Sequence, residues 1–369
     1  MSFRPWALAL ALGLSLTPFS ASWALHTPAD LGALLAAQQY PAAKADLQAR
    51  QLVAEGAKAS QREKLTTLKI GASVQEPSQF APKLAEMAGI YDKYGIKVTF
   101  TTFNADGDAL QAMLSGQTDM GSVGAAGIIN SLLTDTPSVQ LTVQKVKVVD
   151  GLFCAKDIKT ASDMKGKSVA VSTLGGTAHA SVLLALQGLK LTEKDVVVTP
   201  VGGQAVRIAA LKSGSIACAP VGMDQAKDLT GLGFNLLIDL SQNDLPYPAT
   251  GMAALKAWMK KYPSTALNVI AANLEAQNMI WTDPQKAAGY WATYAQIDQA
   301  KALTLITGSQ DQLNRSLRWT LDSFKFTQKV MAIVTPGIMT VDPAGAMDLS
   351  YLKTLEEIGF YKKINSPLP

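Results

Sequence analysis

The sequence predicts an α/β protein built from two equivalent lobes, each a sheet covered by helices. One motif occurs twice, as AMLSGQTDMGSVG at residues 112–124 and as ALKSGSIACAPVG at residues 210–222, 98 residues further on. Each copy reads as a helix that ends at Gly116 or Gly214 in the left-handed conformation, followed by a buried strand. Strand and helix patterns also alternate along residues 68–238, which is typical of parallel sheets with helical connections.

The two lobes show the same order of elements. In the first lobe, residues 68–150, we predict strands at 68–74, 98–103, 120–123 and 139–144, and helices at 80–93, 108–115 and 126–133. In the second lobe, residues 151–250, we predict strands at 168–172, 196–199, 216–221 and 235–238, and helices at 178–189, 204–213 and 225–231. Corresponding elements stand about 100 residues apart, which favours a duplicated unit.

Two lobes made from one chain require crossings between them. We expect one extended crossing near residues 150–155 and a return near residues 247–253, which together form a hinge that permits closure around a ligand. Residues 251–369 carry the return crossing and then read as helices that complete the lobes.

The N-terminus predicts export. Residues 1–24 have one Arg, an apolar run at residues 6–16 and small residues at the expected cleavage site, which is the pattern of a secretory signal peptide. The apolar run is too short for a membrane span, so we expect a periplasmic protein that is not an integral membrane protein. Residues 25–67, rich in Ala, Gln and Leu, are predicted to form a helical extension.

Composition excludes several classes of function. The chain has 369 residues, 48% hydrophobic composition and a net charge of +4, so we predict a folded, monomeric protein that does not bind nucleic acid. The histidines are His26 and His179, and no spacing of Cys and His matches a zinc site, so we predict no metal and no cofactor. For Cys154 and Cys218, two buried thiols are favoured over a disulfide bridge.

The rule for open parallel sheets places a ligand beyond the carboxyl ends of the strands, where loops lead into helices. In the first lobe this nominates Gln75, Glu76 and Ser78 after the first strand, the loop 104–106 with Asn104 after the second, and Gly124 and Ala125 after the third. In the second lobe it nominates Thr173, Gly175, Gly176, Thr177 and Asp224. Tyr247, between two prolines at the return crossing, is a candidate apolar wall of the site.

The segment STLGGTAH at residues 172–179 is the strongest of these loops. Gly175 and Gly176 allow the backbone to approach a ligand, and Thr177 with the free N–H groups of the next helix predicts an anion site. The alternative is an ordinary turn in which Thr177 caps the helix. Arg207 lies a turn inside its predicted helix, so we expect the anion site to depend on backbone N–H groups more than on a guanidinium.

Two further side chains have alternative roles. His179 is the candidate general base of the lobes, but no nucleophile and orienting carboxylate stand beside it, so we favour a packing role. Asp224 either caps its helix or pairs with a cationic group of a ligand, and the cap is slightly favoured.

Three segments resemble a known family. Residues 86–98, EMAGIYDKYGIKV, residues 114–121, LSGQTDMG, and residues 163–171, DMKGKSVAV, are similar to motifs of the periplasmic solute-binding proteins for nitrate, sulfonate, taurine and thiamine-precursor transporters. The resemblance covers residues 66–300. It implies a type II periplasmic-binding-protein fold that captures a small molecule and delivers it to an ABC permease.

We therefore expect an exported, non-enzymatic protein that binds a small organic anion such as a sulfonate or carboxylate. Two alternatives use the same cleft. One is an exported enzyme that acts through His179 and Asp224, and the other is a sensory module that presents its closed form to a receptor.

Overall fold

The computed structural model describes residues 67–73, 76–243 and 245–367, together with Glu63 and Leu65. The predicted signal peptide and nearly all of the predicted helical extension lie outside the described residues, as does Gln75. Glu63 accepts hydrogen bonds from the backbone N–H groups of Ser264 (2.9 Å) and Thr265 (3.0 Å). The end of the extension is thereby attached to the C-terminal helices.

The described residues form eleven strands. They are β1 (Leu68–Ser73), β2 (Val98–Phe103), β3 (Met120–Val123), β4 (Ser138–Gln140), β5 (Lys145–Lys147), β6 (Asp150–Cys154), β7 (Ser168–Val171), β8 (Val197–Pro200), β9 (Cys218–Gly222), β10 (Asn235–Asp239) and β11 (Pro246–Leu255). Eight of them lie close to predicted strands, whereas β5 was not predicted, and β6 and β11 lie at the segments expected to cross between the lobes.

The helices of the lobes also follow the prediction. They are α1 (Ala81–Met87), α2 (Ile90–Lys93), α3 (Asp106–Leu114), α4 (Ala125–Ser131), α5 (Thr177–Gly188), α6 (Gln204–Ser213) and α7 (Ala226–Gly231). The single helix predicted at residues 80–93 is two helices, because Gly89 between them has a left-handed backbone with φ 67°. Gly116 (φ 76°) and Gly214 (φ 75°) have the left-handed conformation that the repeated motif predicts.

The first lobe contains a sheet in the order β2-β1-β3-β11-β4, with β5 paired to β11. β1 is parallel to β2 and β3, whereas β11 is antiparallel to β3, β4 and β5. The second lobe contains a sheet in the order β10-β6-β9-β7-β8, in which β6 is antiparallel to β9 and β10.

The expectation of parallel sheets is therefore wrong for part of each lobe, and both sheets are mixed. The reason is that the two segments predicted as extended crossings are strands inside the sheets. β6 pairs within the second sheet over residues 150–154, and β11 pairs within the first sheet over residues 251–255. Each enters its sheet from the opposite lobe and so runs against its neighbours.

At the hinge, β5, which lies just before the first crossing, pairs with the return crossing β11. Lys147 of β5 faces Pro246 of β11, and Lys145 faces Thr250. The hinge is thus a short antiparallel ladder that leads directly into both sheets.

The C-terminal region is helical, as predicted. It contains α8 (Lys256–Lys261), α9 (Pro263–Thr282), α10 (Pro284–Ala295), α11 (Gln299–Gly308), α12 (Leu321–Met331), α13 (Ser350–Glu357) and α14 (Phe360–Lys363). The long helix α9 packs on α1 and α2 of the first lobe, and α12 packs on β11, α4 and α5. No helix in the described part of the chain has the length and apolar character needed to cross a membrane.

Cys154 and Cys218 form a disulfide bond, so the prediction of two buried thiols is wrong. The two residues are direct partners in the antiparallel ladder of β6 and β9, with their Cα atoms 4.0 Å apart. Neighbouring strands bring side chains at such positions into contact, although 64 residues separate the cysteines in sequence. The bond ties the strand that leaves the hinge to the centre of the second sheet.

We expect the double variant Cys154→Ala/Cys218→Ala to unfold at lower urea concentration, with a loss of about 3 kcal/mol, because the bridge restricts the unfolded chain. Dithiothreitol should destabilise the natural protein by a similar amount and leave the double variant unchanged. Two titratable thiols in the unfolded, unreduced protein would contradict the bond.

Candidate functional site

The carboxyl ends of the parallel strands from both lobes meet at a small cavity beside the hinge, which we call the central cavity. Its volume is about 60 Å³, enough for about four water molecules or one small polar group. Five charged side chains line it: Glu76, Asp106, Lys145, Asp150 and Arg207. Thr177 and Ala178, at the start of α5, complete the side that faces Asp106.

Arg207 reaches the central cavity although it is the fourth residue of α6. Helical side chains lean toward the N-terminus of their helix, which directs this one back to the strand ends. Its Nε donates to Pro220 O (3.1 Å) and its Nη1 to Gly202 O (3.0 Å), and the residue is 6% exposed. Burial lowers the pKa of the guanidinium, while the nearby charges of Asp150 and Glu76 oppose this shift.

The structure therefore places a guanidinium at the strand ends, where the sequence predicts no Arg. The rule for strand ends selects only residues in the loops. It leaves out residues in the first turn of the next helix, whose side chains point back toward the strand ends. It also missed Lys145 and Asp150. Asp106 belongs to the loop 104–106 that the rule for strand ends nominates, and the structure places it at the central cavity.

Glu76 is the site residue with the clearest electrostatic perturbation. Burial raises the pKa of its carboxyl, the ammonium of Lys145 lowers it, and the carboxylate of Asp150 raises it again. More weakly, the charge of Arg207 lowers the pKa of this carboxyl and the charge of Asp224 raises it. The balance is a raised pKa, so Glu76 binds a proton more readily than an exposed glutamate does.

Asp106 and Thr177 join the lobes at the floor of the central cavity. Asp106 Oδ2 accepts from the backbone N–H of Gly124 (3.0 Å) and from Thr177 Oγ1 (3.3 Å). Thr177 Oγ1 also lies 3.1 Å from Ala249 O on β11, to which it donates. The cap of α5 is Gly176, without a side-chain hydrogen bond, so the alternative in which Thr177 caps the helix is wrong.

A second, larger space opens beside the central cavity, and we call it the outer cavity. Its volume is about 380 Å³, and it shares Glu76, Lys145 and Gln204 with the central cavity. Asp224 and Met223 line its second-lobe side. Asp224 does not cap a helix, because its carboxylate accepts from Gln225 Nε2 (2.8 Å) and neither adjacent helix has a side-chain cap. The favoured role of Asp224 as a cap is therefore wrong.

A third space, the side cavity, contains the glycine loop of the second lobe. Thr173, Gly175 and Gly176 line it together with α3 and α4 of the first lobe, and its volume is about 350 Å³. The structure thus places these three predicted ligand residues apart from Glu76 and Thr177, at a neighbouring cavity between the same two lobes.

Three further predicted site residues, Asn104, Ala125 and Tyr247, line none of these three cavities. Asn104 is exposed, and Ala125 is buried at the start of α4. Tyr247 is fully buried, and its hydroxyl has no hydrogen-bond partner among the described residues. Burial raises the pKa of this phenol, and the charges of Asp106 and Asp150 raise it further. Ser78 lies in the short 3₁₀ turn Pro77–Gln79, which precedes α1.

His179 has the predicted packing role. It is 2% exposed, its Nδ1 accepts from the backbone N–H of Gly175 (2.9 Å), and its Nε2 lies 3.0 Å from Glu193 Oε1. Since Nδ1 is an acceptor, Nε2 carries the proton and donates to Glu193. The imidazole therefore holds the glycine loop in place. Among the described residues, no group of His, Cys, Asp and Glu is arranged to hold a metal ion.

Gly124 stands where the lobes approach most closely. A Cβ at this position would lie 2.3 Å from Thr177 Oγ1, 2.7 Å from Ala249 O and 3.1 Å from Asp106 Oδ2. Real Cβ atoms do not come so close to other atoms, so a side chain here would force the second lobe away. The predicted site residue Gly124 thus permits the contact between the lobes.

We expect Gly124→Ala to weaken the contact between the lobes and to lower the free energy of unfolding by about 1–3 kcal/mol. Small-angle X-ray scattering should show a larger radius of gyration, because Thr177 can no longer reach Ala249. The matched control is Gly231→Ala, since a Cβ there would meet no atom within 4 Å. Equal scattering curves for both variants would show that Gly124 does not control the approach of the lobes.

Comparisons with known proteins agree with this architecture. A family model described as NMT1/THI5 like matches residues 79–287. No curated protein sequence matches the chain. The alkanesulfonate-binding protein SsuA from Xanthomonas axonopodis pv. citri, solved bound to MOPS, is 17% identical with a TM-score of 0.64, covering 77% of this chain and 98% of that one.

Two further solved structures are similar. The periplasmic nitrate-binding protein NrtA from Synechocystis PCC 6803 has a TM-score of 0.64 at 16% identity, with 82% of this chain and 90% of that chain covered. The periplasmic aliphatic sulphonate binding protein SsuA from Escherichia coli has a TM-score of 0.60 at 20% identity, covering 76% of this chain and 91% of that one. The fold is the type II periplasmic-binding-protein fold.

Proposed function

The chain belongs to the NMT1/THI5-like family, and from this membership we propose that it is an exported solute-binding protein that captures a small organic anion between its lobes and delivers it to an ABC permease. Solved structures with the same fold are named for alkanesulfonates and for nitrate, which are small anions. These names support a small anion as the solute of this chain.

The observation that carries the proposal is a pair of cationic groups at the central cavity that have no anionic partner in contact. Lys145 is half-buried, and its ammonium has no hydrogen bond or ion pair within the described residues. Arg207 uses Nε and Nη1 on backbone carbonyls, which leaves Nη2 without an acceptor in the same part of the chain. Charge-assisted hydrogen bonds to an anion would satisfy both groups.

The start of α5 supplies further donors. The first N–H groups of a helix have no acceptor within the helix, and the helix dipole favours negative charge at this end. Thr177 and Ala178 bring this end of the helix to the central cavity. A sulfonate or carboxylate group would thus meet backbone donors on one side and the two cationic side chains on the other.

The outer cavity accommodates the rest of the solute. It continues from the central cavity through Glu76 and Lys145, and it is several times larger. Met223 and Leu305 offer apolar contacts there, and Asp224 offers a carboxylate to an amino group on the solute. We propose that the anionic head lies in the central cavity and that the organic body lies in the outer one.

We expect Lys145→Met to weaken binding of ethanesulfonate about tenfold, because a charge-assisted hydrogen bond contributes about 1.5–3 kcal/mol. Isothermal titration calorimetry measures the dissociation constant directly. The control is Lys227→Met, an exposed lysine on α7 that lines none of the three cavities. Unchanged affinity in Lys145→Met, or tighter binding of ethylammonium than of ethanesulfonate, would count against the proposal.

We expect the affinity for ethanesulfonate to rise as the pH falls through the raised pKa of Glu76. Protonation removes a negative charge beside Lys145 and Arg207, so the anion is held more tightly below this pKa and less tightly above it. Binding titrations at a series of pH values measure the slope.

The variant Glu76→Gln should bind ethanesulfonate more tightly at neutral pH and should lose most of the pH dependence. The variant Glu86→Gln, at a glutamate on α1 that lines none of the three cavities, should keep the slope of the natural protein. The same slope in Glu76→Gln would show that another group controls the pH response.

A further inference from the structure

Gln204 lies at the junction of the central and outer cavities. It is the first residue of α6, and within the described residues it lines both spaces together with Glu76 and Lys145. Under the proposed function, the anionic head fills the central cavity, whose volume is about 60 Å³. The atoms of the solute that follow the head therefore pass between these three side chains.

A hydrogen bond fixes the direction in which the Gln204 amide points. Its Oε1 accepts from the backbone N–H of Gly222 (2.8 Å), at the end of β9. A backbone N–H can donate to the oxygen of a side-chain amide but not to its nitrogen, so Nε2 lies on the other side of the amide. Gly222 itself lines the outer cavity, which brings the amide to that space.

The Nε2 of Gln204 is a hydrogen-bond donor that remains accessible. It has no acceptor among the described residues, yet it is not enclosed by protein, in contrast to the enclosed Nε2 of Gln144. A solute that enters the junction displaces the water that pairs with this donor, and an unpaired donor costs free energy. The junction thus favours a solute that offers an acceptor to Gln204.

Glu76 and Lys145 decide what else the solute must offer at the junction. The carboxyl of Glu76 has several lone pairs, so it can accept a further hydrogen bond whatever other contacts it makes. Lys145, like Gln204, presents N–H donors, which oppose an ammonium group at this place. A hydroxyl group both accepts and donates and therefore matches Gln204 and Glu76 together, whereas a methylene group matches neither.

We propose that Gln204 is a specificity-determining residue and that the solute is a hydroxylated anion, with a hydroxyl group on one of the first two carbons after its sulfonate or carboxylate head. This inference rests on the proposed function. The hydroxyl accepts from Gln204 Nε2 and donates to the carboxyl of Glu76. A solute without the hydroxyl leaves these polar groups unpaired, which is the condition under which a binding site rejects an analogue most strongly.

Isothermal titration calorimetry of the natural protein with three sulfonates of similar size tests this class of solute. Isethionate has a hydroxyl group where propane-1-sulfonate has a methyl group and taurine has an ammonium group. We expect isethionate to bind about tenfold more tightly than either of the others, because it alone pairs with both Gln204 and Glu76. The same preference is expected for lactate over 2-methylpropanoate.

The variant Gln204→Met keeps the approximate size of the side chain and removes the donor. It should reduce the preference for isethionate over propane-1-sulfonate to about threefold or less. A general disturbance of the site would weaken both sulfonates and leave the ratio of their dissociation constants unchanged. The control is Gln187→Met, at an exposed glutamine on α5 that lines none of the three cavities, and it should keep the natural ratio.

The outcomes separate this inference from the proposed function. Equal binding of isethionate and propane-1-sulfonate, tighter binding of taurine, or an unchanged ratio in folded Gln204→Met would overturn the hydroxyl assignment and leave the anion site standing. The comparison within the natural protein decides the class of solute even if Gln204→Met does not fold. Binding of none of these compounds to the natural protein would overturn both proposals.

Discussion

The antiparallel pairing of β5, just before the first crossing, with the return crossing β11 is the constraint on which the rest of the structure depends. β5 and the first residues of β11 form one short ladder, and β11 then continues without a break into the first sheet as far as Leu255. Beside this ladder, β11 also lies close to the segment between β4 and β5, where a Cβ at Gly251 would lie 1.7 Å from Thr142 O. This ladder places Lys145, Ala249 and Thr250 at the central cavity and fixes the strand ends of both lobes opposite each other.

The same ladder brings charged side chains of both signs together around the central cavity. Three carboxylates and two cationic groups surround a space that holds one small polar group. Glu76 contributes to this balance, because burial raises the pKa of its carboxyl and so favours its neutral form. The site is thus organised for a head group of fixed charge, with the outer cavity free to accept different organic bodies.

The order of elements could be predicted from sequence because the repeat and the apolar periodicity are local signals. α6 lies at the predicted residues, and most other elements differ from the prediction by one or two residues. The direction of β6, β10 and β11 could not be predicted, because periodicity does not show which neighbour a strand pairs with. For the same reason the disulfide bond between Cys154 and Cys218 could not be predicted, because it depends on the pairing register of β6 and β9.

The candidate site could be predicted only in part. The rule for strand ends identified Glu76, Thr177 and Asp224 as loop residues at the cleft, and the structure places them at the central and outer cavities. It did not identify Arg207, which reaches the site from the first turn of a helix, or Lys145, which comes from the hinge. The positions of these two side chains depend on the three-dimensional fold, which a single sequence does not show.

The central claim is that a small anion binds between the lobes and stabilises the folded protein. Thermal unfolding of the mature protein against a panel of sulfonates, nitrate, carboxylates, aromatic acids and pyrimidines tests this most directly. An anion at about 100 times its dissociation constant should add roughly 2.7 kcal/mol to the free energy of unfolding. Stabilisation by cationic or neutral compounds with none by any anion would contradict the claim.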